Sequence, residues 1–382
     1  MITFCIPTNN NLAYLKGCIE SIKDQKPIYS GIEILVYVDD NNDTETIDWL
    51  RHQRLVRYLI NPFDSIKGIA YGYNRCIEQA KNSLVCMFHA DMVMGPLFVE
   101  NMLKHHKSGV IVAGTRIEPP LHPAGPEKIV EDLGIYPNQF DYIKFKDRVT
   151  NLQQLPGNMD KTTAGVFAPW MAEKSLLLEI GMHDEEFHSY HEDSDIFNRL
   201  LLKGVEFKQS RDAFVYHYTC RGGQFKDGVD SVTKDPAFHE MKARAMQHFI
   251  SKWHTPPGHD KYMNPIVVPK FSTQIVIPDR VVSTDSIFLN YDSLVNKAKG
   301  DYSVVLTIDT KSLSKASIEF GLTTVFYAIA EHNKIGTFNY EGITVQVNNL
   351  DQIQDQLIIC NNNTTYCSPE TPKQKPSMKP TY

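Results

Sequence analysis

The chain has 382 residues, of which 42% are hydrophobic and 22% charged, and its formal net charge is −6. The length exceeds one ordinary domain of about 100–200 residues and predicts two. The composition is typical of a soluble globular protein. The acidic balance gives no reason to expect nucleic acid or an anionic membrane as a partner, and an anionic substrate would need local neutralisation by a metal or a few basic groups.

The N-terminal segment MITFCIPT is typical of a strand and not of a charged, then apolar leader, so no signal peptide is expected. No run reaches the roughly 18 apolar residues of a membrane span. We therefore expect a soluble, cytoplasmic protein. The seven cysteines include no CxxC pair, which argues against a zinc or thioredoxin-type site. Cys360 and Cys367 are spaced to close a small loop in an oxidising compartment.

The first 113 residues alternate between apolar runs and helical periodicity. Strands are predicted at residues 2–7, 33–38, 55–60, 84–88 and 110–113, and helices at Leu12–Lys23 and 68–81. In the second helix the apolar residues recur at the spacing of one helical face. This alternation predicts an α/β fold with an open, mostly parallel sheet flanked by helices.

The middle of the chain is less regular. Residues 117–160 are rich in Pro, Asn and Gly, and we interpret them as a long irregular insertion of the kind that forms a lid. Helices are predicted at 171–180 and 194–203, and a strand at 213–218. Residues 219–262 mix helical and turn signals.

The C-terminal part is expected to form a separate, small α/β or α+β module. Strands are predicted at 302–308 and Ile343–Val347, and a helix at 312–332. The predicted domains are therefore 1–262, the module 263–367 of unknown role, and a disordered tail, 368–382, which is rich in Pro, Lys, Ser and Thr.

Polar or acidic side chains follow three of the predicted parallel strands. Thr8 follows the first, Asp39 and Asp40 follow the second, and His89 and Asp91 follow the fourth. Ligands of open α/β sheets bind outside these carboxyl ends, although a single Asp there is more often a cap or turn residue. Together the three positions suit a nucleotide diphosphate held with a divalent cation.

Asp91 is the best candidate metal ligand. On an extended segment His89 shares a face with it, and an imidazole ligand suits Mn²⁺ better than Mg²⁺. The alternative for His89 is a supporting or space-filling role. His217 ends the apolar run AFVYHY. It is either a satisfied core or edge histidine or a further metal ligand.

A second constellation runs from Gly181 to Asp195. Its carboxylates Asp193 and Asp195 lie at a predicted helix start, where they could simply cap free N–H groups. The functional alternative is a carboxylate that deprotonates an attacking hydroxyl as a general base. Acidic pairs such as Glu192-Asp193 are common on surfaces, so the pair by itself does not distinguish the two.

Five ordered blocks over about residues 1–220 resemble the family 2 glycosyltransferases, which have the GT-A fold. The blocks are ITFCIPTNNN with LKGCIESIKDQ, EILVYVDDNNDTET, GIAYGYNRCIEQAKNSLVCMFHADMVMGP, TTAGVFAPWMAEKSLLLEIGMHDEEF and HEDSDIFNRLLLKG. The resemblance implies an inverting, metal-dependent enzyme of hexosyl or N-acetylhexosaminyl transfer. Its donor would be a UDP- or GDP-sugar, and its acceptor a glycan, a protein or a lipid-linked molecule.

The resemblance also implies donor-side roles. Thr8 and Asp40 match positions that hold the nucleotide base and ribose, and Asn74 is likewise expected to bind the donor nucleotide. Asp91 matches the last Asp of the DxD motif, which binds the metal and the diphosphate. His89 departs from the family because it replaces the first Asp of that motif.

On the acceptor side, Asp193 matches the catalytic base and Glu192 precedes it as in the family. His217 resembles a late His that ligates the metal in some GT-A enzymes. Trp170 and Gly165 match the region that lines the acceptor site. A second departure is Tyr73, which stands where the family often has Arg.

Two other functions remain open. One is a non-catalytic glycan- or nucleotide-binding protein derived from such an enzyme, favoured by His89 and opposed by the intact Glu192-Asp193 block. The other is a sugar-nucleotide nucleotidyltransferase. It is less favoured because Thr8-Asn9-Asn10-Asn11 stands where a Gly-rich, basic loop would be needed.

Overall fold

The structure is a computed structural model that describes most of the first 267 residues and five later strands. The described residues are 1–25, 31–155, 162–163, 167–221, 223–228, 230–253, 256–267, 271–277, 280–284, 303–308, 336–340 and 343–347. They form two compact units. The first contains Met1–Lys252 and Pro256–Pro265, and the second contains the described residues of Trp253–Thr255 and Ile266–Tyr382.

The first unit contains one large sheet flanked by helices. The strands are β1 (Ile2–Thr8), β2 (Ile32–Val38), β3 (Val56–Ile60), β4 (Leu84–Met87), β5 (Met92–Met94), β6 (Val110–Glu118), β7 (Lys128–Val130), β8 (Thr162–Thr163), β9 (Trp170–Glu173), β10 (Glu206–His217), β11 (Gly258–His259) and β12 (Pro265–Ile266). The helices are α1 (Leu12–Lys23), α2 (Thr44–Arg51), α3 (Ile69–Gln79), α4 (Phe98–Leu103), α5 (Tyr142–Gln154), α6 (Lys174–Glu179), α7 (Glu192–Leu202) and α8 (Pro236–Trp253).

The sheet has the order β3-β2-β1-β4-β9-β6-β10-β5, with β7 beside β6 and β8 beside β10. Strands β3, β2, β1 and β4 run parallel, as do β6 and β10, whereas β9 and β5 pair antiparallel with their neighbours. The predicted α/β class with a mostly parallel sheet is confirmed. Buried β-branched and aromatic side chains fill the central strands on both faces, as expected of a sheet covered by helices.

The prediction of an irregular insertion over 117–160 is wrong in part, because this stretch contains helix α5. Its buried residues Phe145, Val149 and Leu152 recur at helical spacing and pack on β10 beside Phe214 and Tyr216. Asp141 caps the helix by accepting a hydrogen bond from the N–H of Lys144 (2.9 Å). Pro-rich residues precede this short helix, so the stretch 117–160 taken as a whole shows little helical periodicity.

The predicted helix at 171–180 is also partly wrong. Residues Trp170–Glu173 form strand β9, which fills the gap between β4 and β6, and only Lys174–Glu179 are helical. A short apolar run fits either conformation, and the vacant position in the sheet decides for the strand. Helix α7 begins at Glu192, two residues before the predicted start.

In the second unit the described residues form a five-stranded sheet. Its strands are β13 (Phe271–Ile277), β14 (Arg280–Thr284), β15 (Ser303–Ile308), β16 (Gly336–Tyr340) and β17 (Ile343–Val347), in the order β14-β13-β15-β16-β17. Only β15 and β16 pair parallel. The predicted helix at 312–332, Cys360, Cys367 and the tail 368–382 lie outside the described residues. Among the described helices, none combines the length and apolar character that crossing a membrane requires.

Candidate functional site

His89, Asp91 and His217 come together at the edge of the large sheet. One ligand atom from each lies within 4.8 Å of the other two. His89 and Asp91 lie in the turn between β4 and β5, and the antiparallel pairing of β5 with β10 places His217 opposite Met92. The imidazole rings of His89 and His217 are 5.4 Å apart. The sheet therefore brings His217 next to His89 and Asp91, although about half of the first unit's sequence separates His217 from them.

Glu118 holds His217 in place. It ends β6, the parallel neighbour of β10, and its Oε1 lies 2.8 Å from His217 Nδ1. This contact leaves Nε2 of His217 facing Asp91, 3.4 Å from Oδ1. A carboxylate on one imidazole nitrogen fixes the ring so that the other nitrogen points at a metal. We name the set of His89, Asp91, Glu118 and His217 the Asp91 cluster.

The charges within the Asp91 cluster shift its pKa values. Burial alone would lower the pKa of His217, but the charges of Asp91 and Glu118, and the hydrogen bonds to them, raise it to about 9. Burial opposes the ionisation of Asp91, but the charge of His217 outweighs it and lowers the pKa of Asp91 to about 2. Burial, and then the charge of His217, lower the pKa of His89 to about 4. Neutral His89 and ionised Asp91 are the forms that ligate a metal, whereas His217 is protonated at neutral pH and must release its proton to do so.

The donor set of the Asp91 cluster fits a divalent transition metal. Two imidazoles and one carboxylate suit Mn²⁺ better than Mg²⁺, which prefers oxygen ligands throughout. Asp91 and Glu118 place two carboxylates around His217, and a bound metal would take the place of the His217 proton between them.

Several cationic groups that the sequence reasoning missed surround the Asp91 cluster. Lys128 Nζ lies 2.9 Å from Glu118 Oε2, and Arg116 Nε lies 3.4 Å from Oε1. The backbone N–H of Arg221 points at Asp91 Oδ2 (3.5 Å), and its guanidinium lies over the ring of Tyr136, 4.8 Å from the centroid. Arg116 and Glu118 end a buried strand, and this position is the one signal that could have identified them.

The predicted base and ribose contacts lie at the ends of β1 and β2. Thr8 is buried, and its Oγ1 has no hydrogen-bond partner among the described residues. Asp40 is more open: its Oδ2 accepts from Asn10 and its Oδ1 from the N–H of Asn42, both at 2.9 Å. The preceding Asp39 is only 4% exposed and accepts the N–H groups of residues 67 and 68. The Asp39 carboxylate is thus already hydrogen-bonded to the protein backbone, unlike the more open Asp40 carboxylate.

Asn74 and Trp170 have contacts inside the protein. The Asn74 amide donates to the carbonyl of His183 (2.8 Å) and accepts the N–H of the same residue (2.9 Å). Trp170 is 2% exposed, and its ring packs edge-on against Phe197 at 5.4 Å. Their predicted roles in donor and acceptor binding stay predictions. Gly165 lies outside the described residues.

Glu192 and Asp193 form the first turn of α7. The two residues before them, Tyr190 and His191, both have left-handed backbone angles (φ 72° and 67°), a conformation that costs energy in residues other than glycine and often occurs at functional sites. Asp193 Oδ1 accepts the N–H of Ser194 at 2.6 Å.

Burial, and then the charge of Asp193, raise the pKa of Glu192 to about 8. An ion pair connects helix α8 to the same region, since Lys252 Nζ lies 2.8 Å from Asp195 Oδ1 on α7.

The fold and these residues define an α/β protein with a candidate metal-binding cluster at one edge of its sheet. The sequence profile described as Glycosyl transferase family 2 matches residues 3–162. This match confirms the resemblance to the family that the motifs of that segment show.

Other comparisons cover part of the chain. The uncharacterized protein MT1568 of Mycobacterium tuberculosis (strain CDC 1551 / Oshkosh) is 25% identical over 127 residues, which are 31% of this chain and 37% of that protein. This chain therefore spans little more than a third of that relative.

Two kinds of solved structure resemble 65% of the chain. S. aureus TarS 1–349 is 12% identical over 72% of its own chain, with a TM-score of 0.40, and its complex with UDP gives 0.39. GalNAc-T7 with UDP, GalNAc and Mn²⁺ is 10% identical over 47% of its chain, with a TM-score of 0.46.

Proposed function

We propose that residues 1–262 form an inverting, metal-dependent glycosyltransferase that moves a sugar from a nucleotide-diphosphate donor to an acceptor hydroxyl. The observation that carries this proposal is the His89–Asp91–His217 group, oriented by Glu118, in a chain whose residues 3–162 match a glycosyltransferase family. The module 263–367 and the tail 368–382 have no assigned part in the reaction.

His89, Asp91 and His217 would hold the metal, with Mn²⁺ favoured over Mg²⁺. When bound, a divalent cation there would stabilise the negative charge of the departing nucleotide diphosphate. Arg116 and Lys128 both pair with Glu118. They add positive potential around the same position.

Asp193 is the proposed general base. It takes the proton of the acceptor hydroxyl while the hydroxyl oxygen bonds to the anomeric carbon of the donor. The bond between that carbon and the phosphate oxygen breaks, and its electron pair leaves with the diphosphate. The hydrogen bond from the N–H of Ser194 fixes the Asp193 carboxylate at the start of α7. Glu192 supports it as a neighbouring carboxyl that stays largely protonated at neutral pH.

The donor is a UDP- or GDP-sugar carrying a hexosyl or N-acetylhexosaminyl group. Thr8 and Asp40 contact its base and ribose, Asn74 also binds the donor nucleotide, and Asp91 lies at the diphosphate. The unpaired Thr8 Oγ1 supports a ligand at the end of β1, because buried hydroxyls are seldom left without a partner. Trp170 and Gly165 are proposed at the acceptor, which is a glycan, a protein or a lipid-linked molecule.

A non-catalytic nucleotide- or glycan-binding function is the second candidate. The observation that favours it is the replacement of the first acidic residue of the DxD motif by His89. Such a protein would bind nucleotide diphosphates with metal but would release no product.

The test is to incubate the full chain with Mn²⁺ and a panel of UDP- and GDP-sugars, and to measure nucleotide diphosphate release. We expect slow release from at least one donor, dependent on Mn²⁺ and lost in Asp91→Asn. A parallel thermal-shift series with UDP and GDP, with and without Mn²⁺, reports binding separately. Metal-dependent binding without release from any donor would support the non-catalytic function instead.

A further inference from the structure

His259 lies in strand β11, beyond the segment that matches the family. Its ring packs against Phe167, with the centroids 5.4 Å apart. Its Nε2 atom is buried and has no hydrogen-bond partner among the residues that the structure describes. Both rings belong to the first compact unit, as does the Asp91 cluster. A buried imidazole nitrogen without a partner needs an explanation, since such groups are normally hydrogen-bonded.

The neighbours of His259 connect the two ends of the candidate site. The guanidinium of Arg116 lies over the other ring in this contact, 5.3 Å from the centroid of Phe167, and Arg116 also pairs with Glu118 of the Asp91 cluster. Phe167 also packs against Phe197, with the centroids 6.5 Å apart, and Phe197 lies on α7, the helix that begins with Glu192 and Asp193. Burial lowers the pKa of the His259 imidazole, and the charge of Asp193 acts to raise it. Through Phe167, His259 is thus connected both to Arg116 beside the Asp91 cluster and to the helix that carries the proposed base.

Three further buried polar atoms near His259 lack partners among the described residues: Glu127 Oε2, His191 Nε2 and Glu192 Oε2. Electrostatic effects link these groups. The charges of Asp193 and Glu127 shift the pKa of His259. The pKa of His191 is shifted by Asp193 and His259, and that of Glu192 by Asp193. We name these five residues, His259 included, the Asp193 cluster. Leaving several buried polar atoms unpaired is costly, so these atoms are suited to pair with water or with the hydroxyl groups of a ligand.

We propose that His259 binds the acceptor hydroxyl that Asp193 deprotonates, donating its Nε2–H to the hydroxyl oxygen. This inference rests on the proposed function. The hydroxyl gives its proton to Asp193 and keeps one lone pair for the anomeric carbon, while its other lone pair accepts from Nε2. The ligand class is a polyhydroxylated acceptor such as a saccharide, whose further hydroxyls can pair with His191 and Glu127.

The charge state of His259 is compatible with this role. Burial lowers its pKa, although the charges of Asp193, Asp260 and Glu127 act in the opposite direction. The imidazole is then neutral near pH 7 and carries one N–H donor, whose position is set by the tautomer. A neutral donor orients the hydroxyl without competing with Asp193 for its proton.

The test uses the full chain and three variants. His259→Phe keeps a ring against Phe167 and removes the N–H, His259→Gln keeps a donor amide, and His52→Phe is the control at an exposed histidine. In the first arm, a panel of methyl glycosides is added to the chain with UDP and Mg²⁺, which replaces the paramagnetic Mn²⁺ because Mn²⁺ broadens NMR signals. The imidazole proton resonances are followed by NMR. We expect a saturable shift of the His259 resonance and no shift of the His52 resonance.

In the second arm, the kinetic constants for the glycoside that shifts His259 are measured with the donor that the release assay identifies. We expect kcat/KM for the glycoside to fall about 10- to 100-fold in His259→Phe and to recover in part in His259→Gln. Diphosphate release without acceptor, UDP affinity and Tm should stay close to wild type. If His259→Phe keeps the wild-type kcat/KM, or no glycoside moves the His259 resonance, the proposal is wrong.

Failure of the proposed function gives a different result. A wild-type chain that releases no diphosphate from any donor overturns glycosyl transfer, whereas the NMR arm still decides whether His259 binds hydroxyl ligands. A saturable glycoside shift at His259 without turnover would keep the hydroxyl contact and remove Asp193 as the base.

Discussion

The Asp91 cluster and the Asp193 cluster differ in how their buried polar groups are paired. In the Asp91 cluster, His217 lies between two carboxylates, and Glu118 also contacts Lys128 and Arg116. In the Asp193 cluster, four side chains each keep one buried polar atom without a partner among the described residues. The carboxylates of the first cluster are already paired within the protein, whereas the second keeps polar atoms that water or a ligand can pair.

This difference indicates two kinds of preorganisation. Fixed charges that face a departing diphosphate act without rearrangement during the reaction, which is how electrostatic catalysis is most effective. Groups that await a hydroxyl acquire their hydrogen bonds only with the acceptor in place, so they favour a correct acceptor over water. Changes in the Asp91 cluster should therefore affect metal and donor, and changes in the Asp193 cluster should affect transfer.

The largest expected effect comes from Asp193→Asn, which keeps the shape of the side chain and removes the base. Transfer should fall by about 10²- to 10⁴-fold, the usual contribution of a general base, while UDP affinity in the presence of Mn²⁺ stays unchanged. Steady-state transfer assays and calorimetry measure the two quantities. Asp48→Asn, at an exposed surface ion pair, is the control. Near-wild-type transfer by Asp193→Asn would show that another group is the base.

Glu118→Gln should act on the Asp91 cluster and not on the Asp193 cluster. The neutral amide holds Nδ1 of His217 less firmly and removes one charge, so Mn²⁺ affinity should drop about 10- to 100-fold. Titration calorimetry measures this affinity, and excess Mn²⁺ should restore most of the transfer. Glu131→Gln is the matched control, because Glu131 follows the adjacent strand and pairs with Arg148 instead. Equal Mn²⁺ affinity in both variants would remove Glu118 from the metal site.

Gly68→Ala tests whether the backbone at His188, shortly before Glu192 and Asp193, can be disturbed without an effect on the metal site. Gly68 has φ +89°, and a Cβ there would overlap the carbonyl oxygen of His188, which accepts the N–H of Ile69 at 2.7 Å. We expect a loss of about 1–3 kcal/mol in the free energy of unfolding and lower transfer at unchanged Mn²⁺ affinity.

Gly109→Ala is the control for this variant. Gly109 also has positive φ (+74°) but open space around the added Cβ, so it should show only the smaller conformational cost. Denaturant unfolding compares the two variants. If they lose the same free energy, contact with His188 does not limit position 68.

The smallest effect is expected from Glu192→Gln, and it depends on pH. The folded-state pKa of Glu192 is raised to about 8 from an ordinary value of 4.5, by burial and then by the charge of Asp193. The folded chain therefore binds more protons than the unfolded chain between these values, and wild-type stability falls as pH rises through that window.

The glutamine variant lacks this loss. Between pH 6 and pH 8, the free energy of unfolding of the variant should rise by about 1–2 kcal/mol relative to that of wild type. Denaturant unfolding at a series of pH values measures the difference. A constant difference across the range would mean that Glu192 is ionised in the folded chain at neutral pH.

Much of the first half of the fold could be predicted because its signals are local. The apolar run of β1 and the periodicity of α1 and α3 can be identified from neighbouring residues alone. The candidate metal residues were found by a similar rule, since His89 and Asp91 follow a buried strand and His217 ends one. The structure brings these three side chains together.

The missed features depend on residues far apart in the sequence. Strand β9 forms because β4 and β6 leave a position between them, and α5 is stable because its apolar face covers β10. Glu118 gains its place from the register of β6 against β10, and His259 from its contact with Phe167. None of these partners can be identified from a local pattern.

By itself, the sequence determined the class of fold, the resemblance of residues 3–162 to a known family, and the residue types that can ligate a metal or remove a proton. Periodicity and strand-end chemistry are properties of short segments, so a single chain displays them directly. Only the tertiary structure decided which of those side chains are already paired and which remain unpaired. Pairing depends on burial and on neighbours from distant segments, as the contrast between Glu118 and His259 shows.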